Sequence, residues 1–241
     1  MNPLDVIILA GGLGTRLQQT VPDLPKPLAP INEKPFLDIL LAFLNRWDFI
    51  ETVVIAVGYM ADKVIQRYKD TDLYNFKVCF SIEERLLGTG GAIKQALQHT
   101  ATNDVLCLNG DSFIEIGLGD LYKTYMKIDP VMMIVVKEVE DVSRFGAVKL
   151  DDDKRIVFFQ EKSTEGSALE YPQGYINAGM YLFKTSLFDN IDNGRAISLE
   201  KELMPEFIKQ GIYAYPAYGK FIDIGTPESY ARASTYLKEV S

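Results

Sequence analysis

The stretch VIILAGGLGTRL, Val6–Leu17, decides how the rest of the chain is read. Its apolar start fits a buried strand, and Gly11, Gly12 and Gly14 then make a turn. Glycines in a turn let backbone N–H groups approach an anion closely, and Arg16 follows at once. A little further on, LPKPL (Leu24–Leu28) sets Lys26 between two prolines. Their fixed φ stiffens the backbone and limits the entropy lost when an ammonium is held in one place. A plain turn carrying a surface lysine would have no use for that rigidity. A strand, a glycine turn and two cations point to phosphate.

Working outward, apolar runs alternate with helical periodicity through the first half. VIILA (6–10), TVVIAV (52–57), KVCFSI (77–82), DVLCLN (104–109) and VMMIVVKEV (131–139) are expected strands. Between them 35–47, 61–68, 91–99 and 118–126 fit helices. Such alternation, with strands apolar throughout, predicts an α/β fold: a mostly parallel, Rossmann-like sheet flanked by helices on both faces. Ligands then bind at the carboxyl ends of the strands. From Gly146 the rhythm changes. GAVKL, the turn DDDKR and IVFFQEK predict a hairpin, followed by the strand INAGMYLF, a helix near 198–210, two short strands and a last helix. The reading is one domain over 1–241, with an inserted antiparallel β portion.

Bulk composition narrows the classes. The 241 residues can bury one sizeable core, and 47% hydrophobic with 24% charged residues is globular. A net charge of −8 argues against a nucleic-acid partner, although a small basic pocket can sit in an acidic surface. Cys79 and Cys107 lie in expected strands and read as core thiols of a reducing compartment. Val6–Ala10 is too short for a signal peptide, and no stretch approaches the ~20 apolar residues of a membrane span. A soluble, cytoplasmic protein without a membrane partner is expected.

The glycine turn can be tested against known phosphate grips. A dinucleotide fingerprint needs a third glycine where Leu17 stands, and a Walker loop needs Lys-Ser/Thr where Thr15-Arg16 follow Gly14. Both fail, which weighs against a nicotinamide-dependent hydride transfer. The blocks LAGGLGTRL (9–17), LPKPLAPINEKP (24–35), EERLLGTGGAI (83–93), LNGDS (108–112), FGAVKL (145–150), QEKS (160–163), INAGMYLF (176–183) and FIDIGTPESY (221–230) instead resemble the sugar-1-phosphate nucleotidyltransferases. That family joins a nucleoside triphosphate to a sugar 1-phosphate and releases pyrophosphate. Within it the chain is most similar to the D-glycero-D-manno-heptose 1-phosphate guanylyltransferases. The resemblance implies the nucleotide-diphospho-sugar transferase fold, with the nucleotide on about 1–130 and the sugar on about 131–241.

It also implies roles. Leu9, Ala10, Gly11, Gly12, Gly14 and Thr15, with Glu83, Gly88, Thr89 and Asn109, would contact the nucleotide. Arg16 would grip the departing pyrophosphate and Lys26 would stand beside the α-phosphate as the catalytic cations. Asp111 and Asp223 match the family's ligands for magnesium, which needs one or two carboxylates plus phosphate oxygens. Asp111 could otherwise cap a helix, whereas a lone Asp223 between Ile222 and Ile224 would be costly to bury unpaired. Gly146, Glu161, Lys162 and Asn177 would receive the sugar 1-phosphate, a surface ion pair being the other reading of Glu161 and Lys162. Asp151–Asp153 reads as a solvated hairpin tip, and Tyr213, Tyr215 and Tyr218 as a strand face.

Glu83 matches the place where the family contacts the nucleobase and is expected to set the base preference. A carboxylate accepts only, and guanine presents adjacent N1–H and N2–H donors that it can engage together. GTP is therefore expected ahead of UTP or CTP, with Glu84 an alternative reader. Mannose 1-phosphate or glucose 1-phosphate remains open as the acceptor, as does a homo-oligomer. A sugar-nucleotide sensor on the same fold is the reading from another class; it has no need to keep Arg16, Lys26, Asp111 and Asp223 together.

Overall fold

The computed structural model describes residues 1–142, 145–161 and 173–237, apart from the Glu161 side chain. The first strand, β1 (Leu4–Leu9), runs into the glycine turn. Its side chains alternate: Val6 and Ile8 pack with one core, Ile7 with another. Both faces are thus buried, which is why the run Val6–Leu9 is apolar, while the buried Asp5 accepts from the Ala101 and Thr102 N–H groups.

A two-residue hairpin follows, β2 (Pro30–Ile31) with β3 (Lys34–Pro35), and leads into α1 (Phe36–Leu44). Next come β4 (Ile50–Val57), α2 (Ala61–Tyr68), β5 (Lys77–Ile82), α3 (Gly88–Ala96) and β6 (Asp104–Asn109). β1 pairs in parallel with both β4 and β6, and β4 with β5. The chain therefore reverses its direction of winding beside β1, and such a switch point opens a crevice beyond the strand ends. The expected parallel sheet is present. Helix α3 starts three residues before the expected 91, because the N–H groups of Gly90 and Gly91 donate to the Ile197 carbonyl at 3.0 and 3.2 Å. That remote contact overrides the poor helix propensity of glycine.

After β6 the chain turns through Gly110 and Asp111 into β7 (Ser112–Ile114), then α4 (Leu118–Ile128) and β8 (Met132–Val139). The hairpin β9 (Gly146–Leu150) with β10 (Ile156–Glu161) forms where expected. Its tip is solvated, and Asp151 Oδ1 accepts from the N–H groups of Asp153 and Arg155. The long β11 (Gly174–Lys184) is antiparallel to β6 and β8. A single-turn π-helix over Leu199–Leu203 and α5 (Met204–Lys209) fill the span expected to be one helix. β12 (Tyr213–Ala217) adds to β8, carrying Tyr213 and Tyr215, while Tyr218 lies beyond its end. Finally β13 (Phe221–Asp223) pairs with β7, and α6 (Pro227–Tyr236) closes the described chain behind a Thr226–Ser229 capping box.

The position that shapes the second cavity is Gly179, at φ +74° in the middle of β11. From Met180 onward β11 pairs with β6; its register with β8 shifts between Asn177 and Tyr181, and Tyr175 pairs with Val148 of β9. A Cβ at Gly179 would come 2.5 Å from Ser112 Oγ and 2.9 Å from Asn109 Nδ2. Only glycine allows this bulge, and the gap it leaves lies beyond the end of β6. Among the described residues no helix is long and apolar enough to cross a membrane.

Candidate active site

Two cavities meet at the carboxyl end of β6. The larger, 470 Å³, is lined by the end of β1, the glycine turn, Thr15, Lys26, Glu83, Gly88, Thr89, Asn109 and Asp111. The smaller, 150 Å³, lies in the gap opened at Gly179 and is lined by Gly146, Asn177, Glu200 and Asp223 among others. Asn109 and Asp111 belong to both. A ligand in one cavity would therefore touch a ligand in the other across these two side chains.

The turn owes its shape to short-range contacts. The Gly11 carbonyl accepts from Tyr59 N–H at 3.2 Å, and the Gly14 carbonyl from the N–H groups of Leu17 and Gln18. Gly11 also lies against Glu83: a Cβ there would fall 2.2 Å from Glu83 Oε1. The other oxygen, Oε2, accepts from Leu87 N–H at 3.0 Å. Glu83 is half-buried, and burial pushes its carboxyl above the ordinary value, with the Leu87 hydrogen bond pulling it partway back. Glu83 lines the larger cavity beside the turn.

Lys26 opens a short 3-10 turn, Lys26–Leu28, that begins after Pro25 in an extended conformation. The two prolines thus aim the lysine inward, and its side chain is only 13% exposed. Its Nζ lies 2.6 Å from Asp111 Oδ2. Asp111 belongs to the β6–β7 turn and caps no helix. Asp223 reaches the same place through the β7–β13 pairing, where it lies opposite Ser112, and Ile224 N–H donates to the Asp111 carbonyl at 2.8 Å. Asp223 Oδ1 accepts from Gly225 N–H at 2.8 Å and from Ser229 Oγ at 3.4 Å. Between the cavities the buried Asn109 Oδ1 has no hydrogen-bond partner among the described residues.

Several expected contacts take other forms. Arg16 is exposed on the turn after Thr15 and lines neither cavity. The Thr89 hydroxyl faces protein, donating to Glu200 at 2.5 Å and accepting from Leu199 N–H at 2.9 Å. Gly146, at φ +93°, begins β9 on the wall of the smaller cavity and pairs with Glu161. Asn177 is on that wall too; its Oδ1 accepts from Gly179 N–H, and its Nδ2 donates to the Tyr181 hydroxyl at 2.6 Å. Lys162 and the Glu161 side chain lie outside the described residues. Sequence reasoning missed Glu200, Tyr181, Ser112 and the Phe145–Phe221 ring pair, whose centroids are 5.7 Å apart. Ser112, Glu200, Phe145 and Phe221 meet on the wall of the smaller cavity, and the buried Tyr181 reaches it through its hydrogen bonds to Asn177 and Glu200.

The comparisons with known proteins place the chain in a family. The chain is 37% identical to a D-glycero-alpha-D-manno-heptose 1-phosphate guanylyltransferase of Campylobacter jejuni, over 94% of this chain and 97% of that one. A guanylyltransferase of the same name from Aneurinibacillus thermoaerophilus is 32% identical over 98% and 99%. The crystal structure of HddC from Yersinia pseudotuberculosis complexed with GMP-PN superposes with a TM-score of 0.84 at 33% identity, covering 98% of this chain and all of that one. The nucleotidyl transferase family model matches residues 5–240, and to that family the chain belongs.

Proposed function

We propose that the protein transfers GMP from GTP to a heptose 1-phosphate, releasing pyrophosphate and forming a GDP-sugar for surface polysaccharide synthesis. The observation that carries this is the junction: two cavities of unequal size share Asn109 and Asp111, and Lys26 of the larger one is held against Asp111. Such a layout serves a reaction between two bound molecules. The names of the full-length relatives support guanylyl transfer and heptose, and Glu83 on the larger cavity has the acceptor chemistry that guanine's two donors require.

The reaction is an in-line displacement. A non-bridging oxygen of the sugar phosphate attacks the α-phosphorus of GTP and forms the new P–O–P link. The bond from that phosphorus to the oxygen bridging to the β-phosphate breaks, and its electron pair leaves on pyrophosphate. No proton needs to move, because the attacker is already an anion; the single histidine, His99, ends a 3-10 turn away from both cavities. The protein's task is to align two anions and neutralise their charge. The glycine turn seats the triphosphate, Lys26 meets the α-phosphate, and Arg16 follows the pyrophosphate from the turn.

Magnesium fits the residues present. Asp111 and Asp223 give two carboxylates, and the unpartnered Asn109 Oδ1 beside them can accept from a metal-bound water. Among the described residues no group of three or more metal-ligating side chains occurs, so substrate oxygens and water would complete the shell, as magnesium favours. When bound, the ion would neutralise phosphate charge across the junction.

The test is product analysis. The purified protein, incubated with GTP, magnesium and D-glycero-D-manno-heptose 1-phosphate, is expected to yield GDP-heptose and pyrophosphate in equal amounts. Hydrolysis of GTP without a sugar nucleotide would exclude the reading.

A further inference from the structure

Glu200 has no part in the chemistry above, yet its carboxylate gathers hydroxyls from three separate segments. Oε2 accepts from Thr89 Oγ1 at 2.5 Å and Ser198 Oγ at 3.3 Å, and Oε1 accepts from the Tyr181 hydroxyl at 3.3 Å. Tyr181 is fully buried in β11, and its oxygen in turn accepts from Asn177 Nδ2. Since Asn177 Oδ1 is taken by Gly179 N–H, the amide has one orientation that satisfies both ends, leaving one Nδ2 hydrogen to donate elsewhere. Asn177 and Glu200 both line the smaller cavity, whereas Thr89 lines the larger one.

We propose that Glu200 is a positioning residue for the acceptor sugar. By accepting the Tyr181 O–H hydrogen bond it turns the phenol oxygen's lone pair to Asn177, which fixes Asn177 with its amino group available to a sugar hydroxyl. Thr89 anchors the other end of the carboxylate, so a residue on the nucleotide wall serves the sugar. Without a charged hub one hydroxyl in this chain loses its acceptor, and buried networks tolerate that poorly. This inference rests on the proposed acceptor reaction and names the residues that select for its sugar.

The test compares Glu200→Gln, Tyr181→Phe and the double variant by steady-state kinetics. Each single change is expected to raise KM for the sugar 1-phosphate at least ~10-fold, with KM for GTP changed less than ~3-fold. Because both act through one relay, the double variant should be no worse than the poorer single by more than ~3-fold. If Glu200→Gln does not fold, Tyr181→Phe decides alone, as it keeps the buried ring. An unchanged sugar KM, equal rises in both KM values, or effects that multiply in the double variant would each overturn the assignment. A parent protein that turns over no sugar 1-phosphate would instead remove the reaction itself, and this role with it.

Discussion

Lys26 Nζ and Asp111 Oδ2 lie 2.6 Å apart at the point where the two cavities meet. The pair is asymmetric: the lysine is 13% exposed and the aspartate 37%. An ion pair open to water on one side contributes little to stability. Its value is positional, since it keeps a cation at the centre of the site before substrates arrive. In the proposed reaction Lys26 meets the α-phosphate and Asp111 would hold a metal ion.

Asp111→Asn keeps the size of the side chain and removes its charge. We expect turnover to fall at least ~100-fold while the melting temperature moves only a few degrees. Calorimetry and pyrophosphate release, measured on the same preparation, check both halves. Near-normal turnover at saturating magnesium would take Asp111 out of the centre.

Lys26→Met keeps the stem and deletes the ammonium. If the charge acts mainly on the transition state, kcat should fall by far more than GTP affinity. Nucleotide binding by titration and single-turnover rates separate the two. Equal losses would show that Lys26 only holds the ground state.

Gly11 and Gly12 are neighbours with opposite tolerance. A methyl at Gly11 would overlap Glu83 Oε1, whereas at Gly12 it meets nothing within 4 Å. Gly11→Ala should therefore lower the melting temperature and raise KM for GTP, and Gly12→Ala should leave the melting temperature unchanged. Thermal unfolding of the two variants side by side reads this directly.

Glu83 lends itself to a pH test. Burial raises its carboxyl above the ordinary 4.5, so its carboxylate, proposed to accept from guanine, is lost at a higher pH than for an exposed glutamate. The acid limb of kcat/KM for GTP should lie above 4.5 and should vanish in Glu83→Gln. The stability sign is opposite. A raised folded pKa means that ionisation costs the fold, a cost absent below the unfolded pKa and complete once pH passes the folded one. Glu83→Gln should thus be at least as stable as the parent at pH 7 and equal to it in acid. Its GTP-over-UTP preference should shrink by roughly 1–3 kcal/mol.

The legible part of the fold was the part encoded locally. The apolar runs of β1, β4, β5, β6 and β8 end at turns, so each announces itself within a few residues. Lys26 and the glycine turn were readable for the same reason. β7 and β13 are three-residue strands from opposite halves of the chain, and no local pattern shows that they pair. Glu200 looks like an exposed charge within SLEKE until Tyr181 and Thr89 arrive from other segments. The GTG run at 88–90 reads as loop because its helical turn depends on the Ile197 carbonyl.

The most direct test is pyrophosphate release, as kcat/KM, over a grid of GTP, UTP, CTP and ATP against heptose, mannose and glucose 1-phosphates. We expect GTP with D-glycero-D-manno-heptose 1-phosphate to exceed every other pairing, and the GTP preference to depend on Glu83. A parent protein that prefers UTP, or that favours mannose or glucose 1-phosphate over the heptose, would contradict the assignment.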